Sequence, residues 1–157
     1  VSVNEAARRT AVLLLLGCFL AVGAGCGSST PPLLRGALAA GPRSNPDLRG
    51  RPSPVVVRVY ELRSVGAFSS ADFFSLFEKE QEALGGDLIG REEFTLQPGE
   101  KRPYQRQLQP DTRFIGVVAA FRDLENSRWR QTAPVPSARR PTLTIGVEAL
   151  AVTVMVQ

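Results

Sequence analysis

The chain has 157 residues, 43% of them hydrophobic and 22% charged, which is enough for one domain of ordinary size with its own core. It contains no histidine, which removes the commonest general base and metal ligand together, and both of its cysteines precede Gly27, so nothing after that point can form an internal disulfide. The formal net charge of +4 comes from bases scattered among acids; that pattern reads as a solvated surface and speaks against nucleic acid as a partner.

The first organised stretch runs from Arg8 to Cys26, RRTAVLLLLGCFLAVGAGC. Two arginines precede an apolar run from Ala11 to Val22, which ends in Gly23-Ala24-Gly25. A positive start, an apolar segment too short to span a bilayer and a small-residue exit form a secretory signal pattern. With Cys26 directly after the small residues, the segment resembles a bacterial lipoprotein signal, whose cysteine is acylated and becomes the mature N-terminus. Such signals favour leucine three places before the cysteine, where this chain has Gly23. The competitor, Cys18, has Leu15-Leu16-Gly17 before it, but its apolar run would be only Ala11–Leu16, shorter than the ~7–15 residues such a region needs. The reading therefore favours Cys26. Acyl chains there would contribute ~0.8 kcal/mol per buried methylene, and more than one chain makes a stable anchor. Gly27 follows where an aspartate would mark retention in the inner membrane, so the resemblance implies the outer membrane. These features divide the chain into a removed signal peptide (1–25), a lipidated N-terminus with its tether (26–32) and a domain (33–157). Taking Arg8, Arg9 and Glu5 from the 19 basic and 15 acidic residues leaves 17 and 14, a balance of +3.

After the cysteine, GSSTPP is a flexible tether. Leu33–Ala40, LLRGALAA, is apolar enough for a first strand, although leucine and alanine are weak strand formers. Gly41–Pro54, GPRSNPDLRGRPSP, holds four prolines, two glycines and three arginines, and no regular element survives that density of breakers. Val55–Leu62, VVVRVYEL, is the clearest strand, with Val55, Val57 and Val59 on one face and Val56, Arg58 and Tyr60 on the other. The period then changes. Ser69 is predicted as an N-cap with Asp72 at the third helical position. Phe73, Leu76, Phe77 and Leu84 recur at helical spacing until Gly85-Gly86, and a further short helical turn is expected around Asp87–Gly90.

Glu92–Gln97 and Lys101–Leu108 are predicted strands joined by a turn at Pro98-Gly99-Glu100, the second at a sheet edge because Pro103 interrupts it. Phe114–Arg122, FIGVVAAFR, reads as a buried central strand. Asp123–Arg140 is expected to be a long connection carrying the sole tryptophan, Trp129. Thr142–Glu148 and Leu150–Val156 alternate apolar and small or polar residues and form a C-terminal hairpin. Six or seven strands with one inserted helical segment indicate a mainly β protein, a β-sandwich.

NPDLRGRPSPVVVRVYELRS, then ADFFSL before a Leu-Gly pair, then LQPGE, then FIGVVAAFRDLENSRWR, in this order and spacing from Asn45 to Val156, resemble the TssJ/VasD lipoproteins of the type VI secretion system. The resemblance implies a transthyretin-like β-sandwich with a small helical addition. It implies an outer-membrane lipoprotein facing the periplasm, which binds the periplasmic C-terminal part of TssM and, with TssM and TssL, forms an envelope-spanning complex. In that family the loop between the first two strands is a TssM contact. Here the position is Gly41–Pro54, and the candidate contacts are Arg43, Asn45, Pro46, Asp47, Arg49 and Arg51. No cofactor is implied beyond the covalent lipid on Cys26.

Each candidate also has a plainer reading. Asn45-Pro46-Asp47 is equally a turn that caps its own backbone. Trp129 between Arg128 and Arg130 suits an interface anchor, but such a residue more often covers one end of a sandwich. Phe73, Phe74 and Phe77 read as core, and Asp123 and Glu125 as solvated ion pairs with Arg122 and Arg128. Besides an anchored adaptor, a periplasmic carrier of a small apolar ligand fits the fold class, and a deep apolar pocket would favour it. An enzyme would need an unaided carboxylate or a Ser-Lys site, and the only lysines, Lys79 and Lys101, lie in polar segments; the enzyme reading is rejected.

Overall fold

A computed structural model describes residues 31–138 and 140–157; the signal segment, Cys18 and Cys26 lie outside the described residues. The strands are β1 (Leu33–Ala40), β2 (Val55–Leu62), β3 (Leu88–Leu96), β4 (Lys101–Gln107), β5 (Phe114–Ala120), β6 (Arg130–Pro134), β7 (Thr142–Val147) and β8 (Val152–Val156). Three short helices, α1 (Gly66–Ser70), α2 (Phe73–Glu78) and α3 (Glu80–Leu84), lie between β2 and β3 and end in a 3-10 turn at Gly85–Asp87. Two four-stranded sheets, β4-β1-β7-β8 and β3-β2-β5-β6, face each other as a sandwich. All neighbours are antiparallel except β1 and β7. Along one side the sheets meet, where Arg128 bridges Ala151 and the Val154 N–H donates to Gln131 Oε1 at 3.1 Å.

The core follows from the alternation in the strands. Leu34 and Leu38 from β1, Val57 and Val59 from β2, Ile115 and Val117 from β5, and Leu143 and Ile145 from β7 are all buried between the sheets. Full burial of each such side chain is worth about 1.5–3 kcal/mol. The opposite face of β2 and β5 is also covered: Tyr60, Leu62 and Val118 pack against Phe68, Leu76 and Leu84 of the helices. The Tyr60 hydroxyl donates to the Leu76 carbonyl at 2.9 Å, and Arg58 donates to the Phe77 carbonyl and lies 3.8 Å from the Phe77 ring centre. Apolar residues on both faces of β2 and β5 are therefore explained by a third, helical layer.

Several expectations need correction. The predicted single helix is three pieces. Asp72, not Ser69, is the N-cap of α2, where its carboxylate accepts from the Ser75 N–H at 3.0 Å and the Ser75 hydroxyl at 2.6 Å. A first helical turn ends at Ala71, whose extended backbone (ψ 148) places Asp72 outside it. The helical turn expected at Asp87–Gly90 is a 3-10 turn ending at Asp87, and β3 begins at Leu88 because Leu62 offers it a ladder partner. The long connection contains a strand, β6, which completes the free edge of β5. Phe74 is exposed rather than core. Asp123 does not pair with Arg122 or Arg128; it accepts from the Asn126 backbone at 3.2 Å and from the Asn126 amide at 3.0 Å, closing a tight turn. Trp129 wedges the helical layer against the sheets, edge-on to Phe73 at 5.4 Å with the Arg130 guanidinium 4.7 Å from its ring.

One buried charge joins the sheets. Glu61, at 2% exposure, accepts from Arg106 Nε on β4, from the Gln109 N–H at 2.9 Å and from the Thr112 hydroxyl at 2.6 Å. Arg106 also pairs with Glu92 at 2.9 Å. Removing one member of a buried pair leaves the other uncompensated, typically at about 3–5 kcal/mol. Glu61→Ala is therefore expected to lower the free energy of unfolding by about that amount, measured by urea titration; a loss below about 1 kcal/mol would put Glu61 in water rather than in the core.

Candidate partner interface

The strand registers give the sandwich two ends. At one, Leu33 pairs with Gln107, Leu62 with Phe114 and Phe114 with Pro134. At the other, Ala39 pairs with Lys101, Ala40 with Val147, Val55 with Leu96 and Val56 with Ala120. The tether enters at the first end. The Gly41–Pro54 loop leaves from the second, after a strand of eight residues that spans about 26 Å at ~3.3 Å each.

The loop is built around Asn45, which is 2% exposed and holds a positive φ of 50°, a conformation asparagine tolerates better than most residues. Its amide donates to the Pro54 carbonyl at 2.6 Å, while Oδ1 accepts from the Arg122 N–H at 2.8 Å. Its own N–H donates to the Ala149 carbonyl at 3.1 Å. The Asn45 side chain thus ties the two ends of the loop together and to the connection after β5, while its backbone N–H holds the connection after β7.

A second, smaller clasp closes the tip. Asp47 accepts from the backbone N–H groups of Arg49 and Arg51 at 2.8 and 3.0 Å, and from Arg51 Nε at 2.8 Å. Between them the Gly50 N–H donates to the Asp47 carbonyl at 2.8 Å, with Gly50 at φ 77°. The Arg51 N–H, then the Arg51 guanidinium, hold the Asp47 carboxyl below its ordinary value. Because it is lowered, its contribution to the clasp is present above the ordinary aspartate range and is lost as pH falls through the lower folded value.

The two clasps sort the candidate residues. Arg43 and Arg49 are exposed, and their guanidinium groups have no hydrogen-bond or ion-pair partner among the described residues. Arg51 is exposed but spends two nitrogens on Asp47. Pro46 and Asp47 are half-buried, and Asn45 is the frame rather than a surface group. Sequence reasoning missed Leu48, which stands fully exposed at the tip between Asp47 and Arg49. An apolar residue in a turn of prolines and charges has no local reason to be there, and that was the available signal. It also missed the neighbours. Pro46, Leu48, Arg49, Arg122, Asp123 and Leu150 surround an open groove of about 560 Å³ beside the loop. A rigid loop, one protruding leucine, unpaired arginines and an adjacent groove make this end a candidate protein-binding surface: an apolar anchor surrounded by planar donors, with little conformational entropy left to lose.

The family model for the type VI secretion lipoprotein, VasD, EvfM, TssJ, VC_A0113, matches residues 33–150. No curated protein matches the chain. The structure is similar to the T6SS lipoprotein TssJ1 from Pseudomonas aeruginosa, at 41% identity and a TM-score of 0.77, over 81% of this chain and 97% of that one. It is similar to Serratia marcescens Lip, a membrane bound component of the Type VI Secretion System, at 28% identity and a TM-score of 0.71, over 81% of this chain and 99% of that one. A chain in the structure of the T6SS protein TssM C-terminal domain from EAEC is 29% identical with a TM-score of 0.64, over 78% of this chain and 97% of that one. The chain belongs to the TssJ/VasD family of type VI secretion lipoproteins.

Proposed function

We propose that this lipoprotein is anchored in the outer membrane through acylated Cys26, faces the periplasm, and binds the periplasmic C-terminal region of TssM through the Gly41–Pro54 loop, meeting TssL only through the complex. Residues 1–25 are the removed signal, 26–32 the lipidated tether, and 33–157 the binding domain. The observation that carries the reading is the pre-formed loop at the end of the sandwich opposite the tether, with Leu48 projecting from it. The likeness to a chain in the TssM C-terminal domain structure supports TssM as the partner. No helix among the described residues is long and apolar enough to cross a membrane, so on this reading the acyl chains hold the protein.

The reading is of a binding protein and not an enzyme, with no cofactor beyond the lipid. An adaptor is preferred to a carrier of small apolar ligands because the space between the sheets is filled by the protein's own side chains, from Leu34 and Leu38 across to Ile115 and Val117.

Two experiments test it. Cys26→Ser is expected to leave the outer-membrane fraction, whereas Cys18→Ser stays; fractionation with the opposite result would move the acylation to Cys18. At the loop, Leu48→Asp is expected to weaken binding to the TssM periplasmic domain by at least about tenfold, the scale of a lost interface anchor, with thermal stability unchanged. Asn45→Ala, which strands the Pro54 carbonyl and the Arg122 N–H, should instead lower stability by about 1–3 kcal/mol per group. Unchanged affinity of the folded Leu48→Asp protein, measured by titration calorimetry, would place the contact elsewhere.

A further inference from the structure

At the tether end lies a second, larger groove, of about 870 Å³. Its walls are the start of the described chain at Pro31 and Pro32, the end of β4 at Gln107, the Gln109–Arg113 connection and the Val135–Arg140 connection. Two arginines, Arg113 and Arg140, line it, and no carboxylate does. Both are exposed. The Arg113 guanidinium donates only to carbonyls of its own loop, Pro110 at 2.9 Å and Thr112 at 3.3 Å, and neither arginine has an ion pair among the described residues. Nearby Asp111 does not line the groove and is held by Arg63 at 2.9 Å. In the groove at the opposite end, Asp47 and Asp123 lie beside Arg49, Arg51 and Arg122.

Where this groove sits decides what it meets. Four residues lie between Cys26 and Pro31, five steps of chain, so the Pro31 wall of the groove lies within ~18 Å of the acylated residue however the tether runs. A cleft with two guanidinium groups that have no carboxylate partner among the described residues, held that close to a bilayer, faces lipid phosphates at high effective concentration. We infer that this groove docks on the phosphate headgroups of anionic phospholipids in the leaflet that holds the anchor. The docking sets the domain upright, so that the Gly41–Pro54 loop points away from the membrane. The inference rests on the Cys26 anchor proposed above. Prolines in three of the walls (Pro32, Pro110 and Pro136) restrict the groove before the lipid arrives.

The test uses the acylated lipoprotein reconstituted in phosphatidylcholine vesicles with and without phosphatidylglycerol. A fluorophore is placed at the exposed groove rim by Ser137→Cys, and the lipids carry a headgroup quencher. Phosphatidylglycerol should increase quenching at position 137, and a label introduced by Leu48→Cys should stay unquenched. Arg113→Gln with Arg140→Gln should lower the face-down population by about five-fold per arginine, whereas the corresponding Lys pair should keep most of it. Quenching at 137 that ignores phosphatidylglycerol or the Gln pair would overturn the inference while leaving the anchor intact. Loss of quenching on adding millimolar inorganic phosphate, at constant ionic strength, would overturn it in favour of a free-phosphate site. Failure to float with vesicles of either composition would overturn the anchor and this inference together.

Discussion

At Gly36, β1 lies hard against the Leu143 backbone of β7. A side chain there would lie 1.8 Å from the Leu143 carbonyl oxygen, well inside any permitted contact. Its absence lets β1 run parallel to β7 on one side while pairing antiparallel with β4 on the other, so the strand is fixed along both edges. That fixed strand places both the tether and the Gly41–Pro54 loop. It receives the tether at Leu33 and delivers the chain at Ala40 to the loop, and by its length it keeps the two apart.

The loop is then a rigid attachment to the far end rather than a flexible one. Asn45 clamps it to the connections after β5 and β7, and Asp47 gathers its tip around a single carboxylate. The energy of these contacts goes into the shape of the loop, and what is left outside is Leu48 with Arg43 and Arg49. Polar groups that look available in the sequence are consumed holding the backbone, which on the proposed reading leaves Leu48 to meet the partner from a pre-organised loop.

That division explains how far the sequence could be read. β2 and β5 were legible as short runs rich in valine and bounded by breakers, and the C-terminal hairpin because its apolar residues alternate with a period of two. The loop position was legible from its four prolines and from the family resemblance. β6 was not, because Arg130–Pro134 has no apolar alternation and exists only because β5 needs a partner along its edge. The helical segment gave its period but not its breaks, which depend on where the Asp72 carboxylate finds the Ser75 N–H. Within the loop, Asn45 and Asp47 look alike in sequence. Their roles separate only through a bond to Arg122, 77 residues away, which no local pattern contains.

The helical layer is the other surface of consequence, since Phe74 is exposed there beside the Phe73–Phe77–Trp129 cluster. A partner seated on the helices instead of the loop would use it. Hydrogen exchange of the full mature lipoprotein in detergent, with and without the TssM periplasmic domain, separates the two most directly. Binding through the loop predicts slowed exchange at the amides around Leu48–Gly50, at Arg122–Asp123 and near Leu150, with the helices from Phe73 to Leu84 unchanged. Protection of those helices with the loop unaffected would contradict it.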